Sequence, residues 1–113
     1  MQDYIKLPIL FGGINMRLFL VHCGFYDADI CGGLYESHVN FFVAADSPSD
    51  ARIRAKKIPQ FISKKMHVDG LQEIHSVDGY KILLEHDPSL NERTEIINYK
   101  HRDLAPKPQT EQE

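Results

Sequence analysis

Two short pairs of residues carry the chemistry that this sequence offers: Glu36-x-His38 and His67-x-Asp69. Each sets an imidazole two positions from a carboxylate. On an extended backbone, residues two apart project to the same side. Each pair therefore presents one nitrogen ligand or base beside one oxygen ligand or acid. Brought together, the four side chains suit two kinds of chemistry. Two imidazoles and one or two carboxylates can hold a divalent metal such as zinc, iron or manganese, with one position left open. Without a metal, the carboxylates can orient the imidazoles for acid–base work or phosphate handling, since histidine changes charge near neutrality. The plain alternative is a charge-assisted hydrogen-bond network that pins the ends of a loop. Convergence of all four side chains within about 5 Å favours the metal reading.

Other reactive residues carry less. His22 and Cys23 are adjacent, so on a strand they face opposite sides, which argues against a nucleophilic Cys–His pair. Cys31 has neither C-x-x-C spacing nor further cysteines to complete a zinc knuckle. His75 is expected on a core face as a satisfied histidine, and His86 and His101 fall in a polar tail. Gly32-Gly33 matches neither phosphate-loop pattern and reads as loop flexibility. Lys56, Lys57, Lys64 and Lys65 form the one basic cluster, read as a solvated helix end. Phe25, Tyr26, Tyr35 and Phe42 could stack on a ring or fill a dimer seam.

The elements that must position the two pairs follow from periodicity. Arg17–Cys23 alternates Leu18, Leu20 and His22 against Phe19, Val21 and Cys23, which predicts a central strand. Residues 24–35 hold three glycines and read as a long loop, a candidate for function. Residues 37–45 read as a second strand. Ser47-Pro48-Ser49-Asp50 is a helix start, with a serine N-cap, proline at the first helical position and a carboxylate at the third. Ala51, Ala55, Ile58 and Ile62 then form an apolar stripe, interrupted by Pro59. A helix is expected from 48 to about 58, then a kink or short turn through Phe61. Asp78-Gly79 between Leu71–Val77 and Tyr80–Glu85 signals a two-residue hairpin. In that register Val77, His75 and Glu73 oppose Tyr80, Ile82 and Leu84, on the face expected to meet the helix. The expected unit is α+β, in the order β-β-α-β-β over residues 16–86, with an antiparallel or mixed sheet and one helix on one face. If strand two is adjacent to strand three, or one strand away, both pairs can meet.

Composition bounds the rest. The 113 residues suffice for one small domain. No apolar run approaches the roughly 18 residues of a spanning helix. A net charge of −3 argues against a general nucleic-acid binder. No signal peptide is apparent, so the cytoplasm is the expected compartment. Residues 1–15, broken by Pro8 and Gly12-Gly13, read as an extension ahead of a domain starting near Met16. Residues 87–113 read as a polar, partly disordered tail in which Ile96–Tyr99 could form a short strand. A sheet with one helix leaves an apolar face uncovered, which points to a homodimer.

The segments MRLFLVHCGF, ESHVNFFVAA and MHVDGLQEIHSVDGYKILLE, taken together, resemble the uncharacterised bacterial family DUF1543 over about residues 16–85. The shared marks are the E-x-H before strand two, the H-x-D before strand three and the V-D-G-Y hairpin. The resemblance implies a small cytoplasmic protein starting near Met16. It implies in some relatives a second similar unit, of which Ile96–Leu104 would be a degenerate beginning. It implies no activity, but it singles out Glu36, His38, His67 and Asp69.

Three functional readings follow. The first is a non-catalytic ligand-binding or assembly module, in which Glu36 and Asp69 hold His38 and His67, the cluster organises the 24–35 loop, and the nearby aromatics contact a small molecule or protein partner. The second is a metal-dependent hydrolase or related enzyme with Glu36, His38, His67 and Asp69 as ligands and one carboxylate as base. The third is a purely structural homodimer.

Overall fold

The structure, a computed structural model, describes residues 15–106. The expected upstream extension, except for Asn15, and the last seven residues of the tail lie outside this range. Three strands form an antiparallel sheet: β1 (Arg17–Tyr26), β2 (Glu36–Ala45) and β3 (His67–Glu73), in the order β2-β1-β3. Between β2 and β3 run two short helices, α1 (Pro48–Ala55) and α2 (Pro59–Ser63). A separate ribbon of β4 (Ser76–Val77) and β5 (Tyr80–Lys81) follows, and α3 (His101–Leu104) lies near the end of the described chain. The expected α+β unit is observed.

The core lies between α1, α2 and one sheet face. Phe19, Val21, Cys23 and Phe25 of β1 are buried there with Val43, Ala45, Ala51, Ala55, Phe61 and Met66. The helix begins as its sequence requires. Ser47 accepts a hydrogen bond from the Asp50 amide at 3.0 Å, and Asp50 reaches back to the Asp46 amide at 3.2 Å. The apolar stripe is only partly realised: Ala51 and Ala55 are buried and Ile58 packs beside them, but Ile62 is exposed. Pro59 is the cause. Ile58 is extended, and the proline opens a second helix in a new phase, so Phe61 turns inward instead of Ile62.

β1 is longer than its sequence suggests. Gly24 reads as a breaker, yet the strand runs on through Phe25 and Tyr26, so the true loop is Asp27–Tyr35. Lys64 donates to Asp27 at 2.9 Å, tying this loop to the connection before β3 and holding the Asp27 carboxyl below its usual range. Cys31, Gly32 and Gly33 all take positive φ, so the two glycines serve a tight 3-10 turn.

The hairpin is shorter than expected. Asp78 and Gly79 take φ of 52° and 86°, as a two-residue turn requires, and Val77 pairs with Tyr80. Ser76 pairs with Lys81, and the Ile82 amide donates to the His75 carbonyl at 3.0 Å. Beyond this the two chains part, because Phe19, Leu20 and Val21 of β1 claim Glu73, Gln72 and Leu71 as partners. Leu71 therefore packs on the core, whereas Glu73, His75 and Val77 are exposed. His75 is not the core histidine its register suggests. Ile96–Tyr99 forms no strand.

Candidate metal centre on the open sheet face

The sheet face opposite the helices is open, and its two ends differ. Along β1 and β2 its residues pair as Leu18 with Ala44, Leu20 with Phe42, His22 with Asn40, Gly24 with His38 and Tyr26 with Glu36. One end is apolar. The other carries the polar residues, and β3 adds His67 opposite Gly24. β2 and β3 lie two strand spacings apart, about 9.5 Å. Their long side chains cross that distance only because β1 presents glycine between them.

A bulge brings Asp69 to the same face. Cys23 opposes Val68, but His22 opposes Gly70, so β3 carries one extra residue there. The insertion reverses the alternation. His67 and Asp69 can therefore face the open side while Val68 and, three residues on, Leu71 pack against the core. Without it, the odd-numbered residues His67, Asp69 and Leu71 would share one face.

The four residues singled out in the sequence converge. His38 Nε2 lies 3.1 Å from Glu36 Oε1 and 3.2 Å from Asp69 Oδ2. His67 Nε2 lies 2.5 Å from Glu36 Oε2 and 3.1 Å from Asp69 Oδ1. Each carboxylate thus spans both imidazoles, and each oxygen is used once. The four side chains are 29% to 48% exposed, so the centre is open to a ligand from solvent.

The electrostatics of this arrangement are lopsided. Four acceptor oxygens surround two ring nitrogens, each of which carries at most one hydrogen. The Arg54–Asp50 and Lys64–Asp27 pairs are directed hydrogen bonds as well as ion pairs, whereas the four histidine contacts are close N···O approaches without hydrogen-bond geometry. Three of the four spacings, at 3.1–3.2 Å, match those of neighbouring ligands on one cation, and the 2.5 Å His67–Glu36 approach is shorter and would have to open. Metal–ligand distances of about 2.0–2.1 Å place neighbouring ligand atoms about 2.9 Å apart in an octahedron and about 3.4 Å apart in a tetrahedron. Two sets of side chains have ligand atoms mutually within 4.8 Å: Glu36, His67 and Asp69, and His22, His38 and Asp69.

Three participants escape the sequence reading. His22 stacks on His38, with ring centroids 4.7 Å apart and planes within 10°. Its Nδ1 donates to Asn40 Oδ1 at 2.7 Å. Gly24 underlies the cluster: a Cβ there would meet Glu36 Oε2, with His67 Nε2 at 2.7 Å and Asp69 Oδ2 at 2.9 Å. The alternation that puts His22 with Leu18 and Leu20 was a usable signal. The glycines of 24–35 mask its continuation through Gly24.

The remaining candidates separate from the site. Cys23 is buried in the core with His22 on the opposite face. Burial pushes its thiol above the ordinary range, and the Asp69 charge adds to this, so the nucleophilic thiolate is disfavoured. Phe25 is also buried in the core, while Tyr26 and Tyr35, the neighbours of Glu36 in pairing and in sequence, are exposed. Among the described residues, no helix is long and apolar enough to cross a membrane.

Residues 33–84 match the family described as Domain of Unknown Function (DUF1543), in agreement with the sequence resemblance. The matched stretch contains Glu36, His38, His67 and Asp69 but not β1, which supplies Gly24 and His22. No curated protein and no solved structure matches the chain significantly.

Proposed function

We propose that the open face is a divalent-cation centre, and that the protein acts as a metal-dependent hydrolase or a related enzyme. The observation that carries this reading is the convergence of Glu36 and Asp69 on both His38 and His67, three of the four contacts lying at 3.1–3.2 Å. Glu36, His67 and Asp69 form one compact set, and His38 adds a second imidazole. A bound cation would supply Lewis-acid polarisation of a substrate oxygen. The chain's own residues do the rest. The strands fix the donors, Gly24 leaves room above the sheet, and a carboxylate oxygen not engaged with the cation can accept a proton from a nearby nucleophile.

Element analysis of the protein purified without a metal-affinity tag tests the centre. The parent is expected to carry a first-row divalent metal at near-stoichiometric level, before or after reconstitution. A folded variant with both His38→Ala and His67→Ala is expected to carry none. A parent that stays metal-free after reconstitution would remove this reading.

A second reading concerns assembly, and a specific observation favours it. The other end of the open face offers the exposed Phe42 beside the half-buried Leu18 and Leu20, and the chain beyond β3 exposes Val77, Tyr80, Leu83, Ile96 and Ile97. Exposed apolar surface of this kind marks an interface. We read it as the seam of a homodimer. Phe42→Glu is expected to convert a dimer to a monomer in light scattering. A parent that is monomeric at every accessible concentration would exclude the dimer.

A further inference from the structure

A single cation held by Glu36, His38, His67 and Asp69 leaves one feature without a role: a third histidine, His22, stands beside His38. We infer that the open face holds two divalent cations, the second bound by His22, His38 and Asp69, with the Asp69 carboxylate bridging the pair. The inference rests on the reading of the cluster as a metal centre.

The two compact ligand sets divide the histidines. His67 falls with Glu36, His38 falls with His22, and Asp69 belongs to both. Asp69 Oδ1 lies 3.1 Å from His67 Nε2, and Asp69 Oδ2 lies 3.2 Å from His38 Nε2. A carboxylate whose oxygens serve separate neighbours is disposed to bridge two cations, which then stand about 3.5–4 Å apart. His22 is prepared for ligation. Donation from its Nδ1 to Asn40 Oδ1 fixes the tautomer that leaves Nε2 with a free lone pair. His38, from the adjacent strand, stacks on His22 with planes within 10°, so its ring must turn about the Cβ–Cγ bond to share a cation with His22. Beside His22 lies a shallow hollow of about 360 Å3, lined also by Leu20, Asn40, Gly70 and Gln72. A Cβ on Gly70 would meet nothing within 4 Å, so the approach to this second position is open.

The test is the stoichiometry of manganese(II) and zinc(II) bound by the full chain after chelator treatment. It is read by calorimetric titration and element analysis, with electron paramagnetic resonance of the manganese-loaded protein. Two equivalents per chain and an exchange-coupled manganese spectrum are expected for the parent. His22→Ala, with its fold checked by circular dichroism, is expected to bind one equivalent and to lose the coupling. His22→Gln provides the same comparison should alanine disturb β1. One equivalent in the parent, or two retained in a folded His22 variant, would overturn the second cation and leave the first in place. No binding by the parent would overturn both.

Discussion

Gly24→Ala is expected to leave the protein folded and to weaken divalent-cation binding by on the order of 100-fold or more, a loss at least as large as that from disturbing a ligand's supporting shell. Gly24 does not take a positive φ, so its backbone accepts any L residue. Glycine inside a central strand is unfavourable for the strand itself, since it adds chain entropy to the unfolded state and packs nothing. What excludes a side chain is the space above it. An added methyl would meet Glu36 Oε2, with His67 Nε2 at 2.7 Å and Asp69 Oδ2 at 2.9 Å. These are the free ends of long side chains, which can swing away while the strand stays in place. Stability and binding should therefore part company. The urea midpoint should hold or rise, and calorimetric titration with zinc(II) should show the loss. A Gly24→Ala variant that binds metal as the parent does would show that the space above Gly24 is not where the ligands act.

The largest effect on stability is expected at Phe19. Phe19, Val21 and Cys23 are the largest fully buried side chains among the described residues, and all three belong to β1. The helices above them contribute mainly Ala51, Ala55 and Phe61, so the core has little material beyond one strand. Phe19→Ala removes the transfer energy of the ring and leaves a cavity, at a cost of about 3–5 kcal/mol. That equals the roughly 3–5 kcal/mol a single small core supplies. The variant should be largely unfolded by circular dichroism in chelator without denaturant. Leu18→Ala, next to it but on the open face, is the control and should cost clearly less. A loss below about 1.5 kcal/mol for Phe19→Ala would mean that the stabilising core lies elsewhere.

Much of the architecture was legible because local rules act over a few residues. The alternation in β1 and β2, the capping at Ser47 and the Asp78-Gly79 turn all need only neighbours in sequence, and all appear as expected. The misreadings share one origin. Ile62, His75 and the extension of β1 through Gly24 depend on which partner a segment meets. Pro59 reset the helical phase, and β1 took Leu71–Glu73 away from the hairpin.

The sequence by itself determined which side chains could do chemistry, because spacings of two in Glu36-x-His38 and His67-x-Asp69 aim each pair to one side of a strand. It could not decide that the pairs would meet, nor what would join them. The order β2-β1-β3 placed them on either side of one strand, and only a glycine in that strand let them touch. The bulge at Asp69 turned the second pair to the open face while Leu71 kept its place in the core. The alignment of β1 with β2 then set His22 against His38. The physical reason is the period of the strand: a shift of one residue in pairing exchanges the two faces, and pairing between distant segments is fixed by the burial of the whole core.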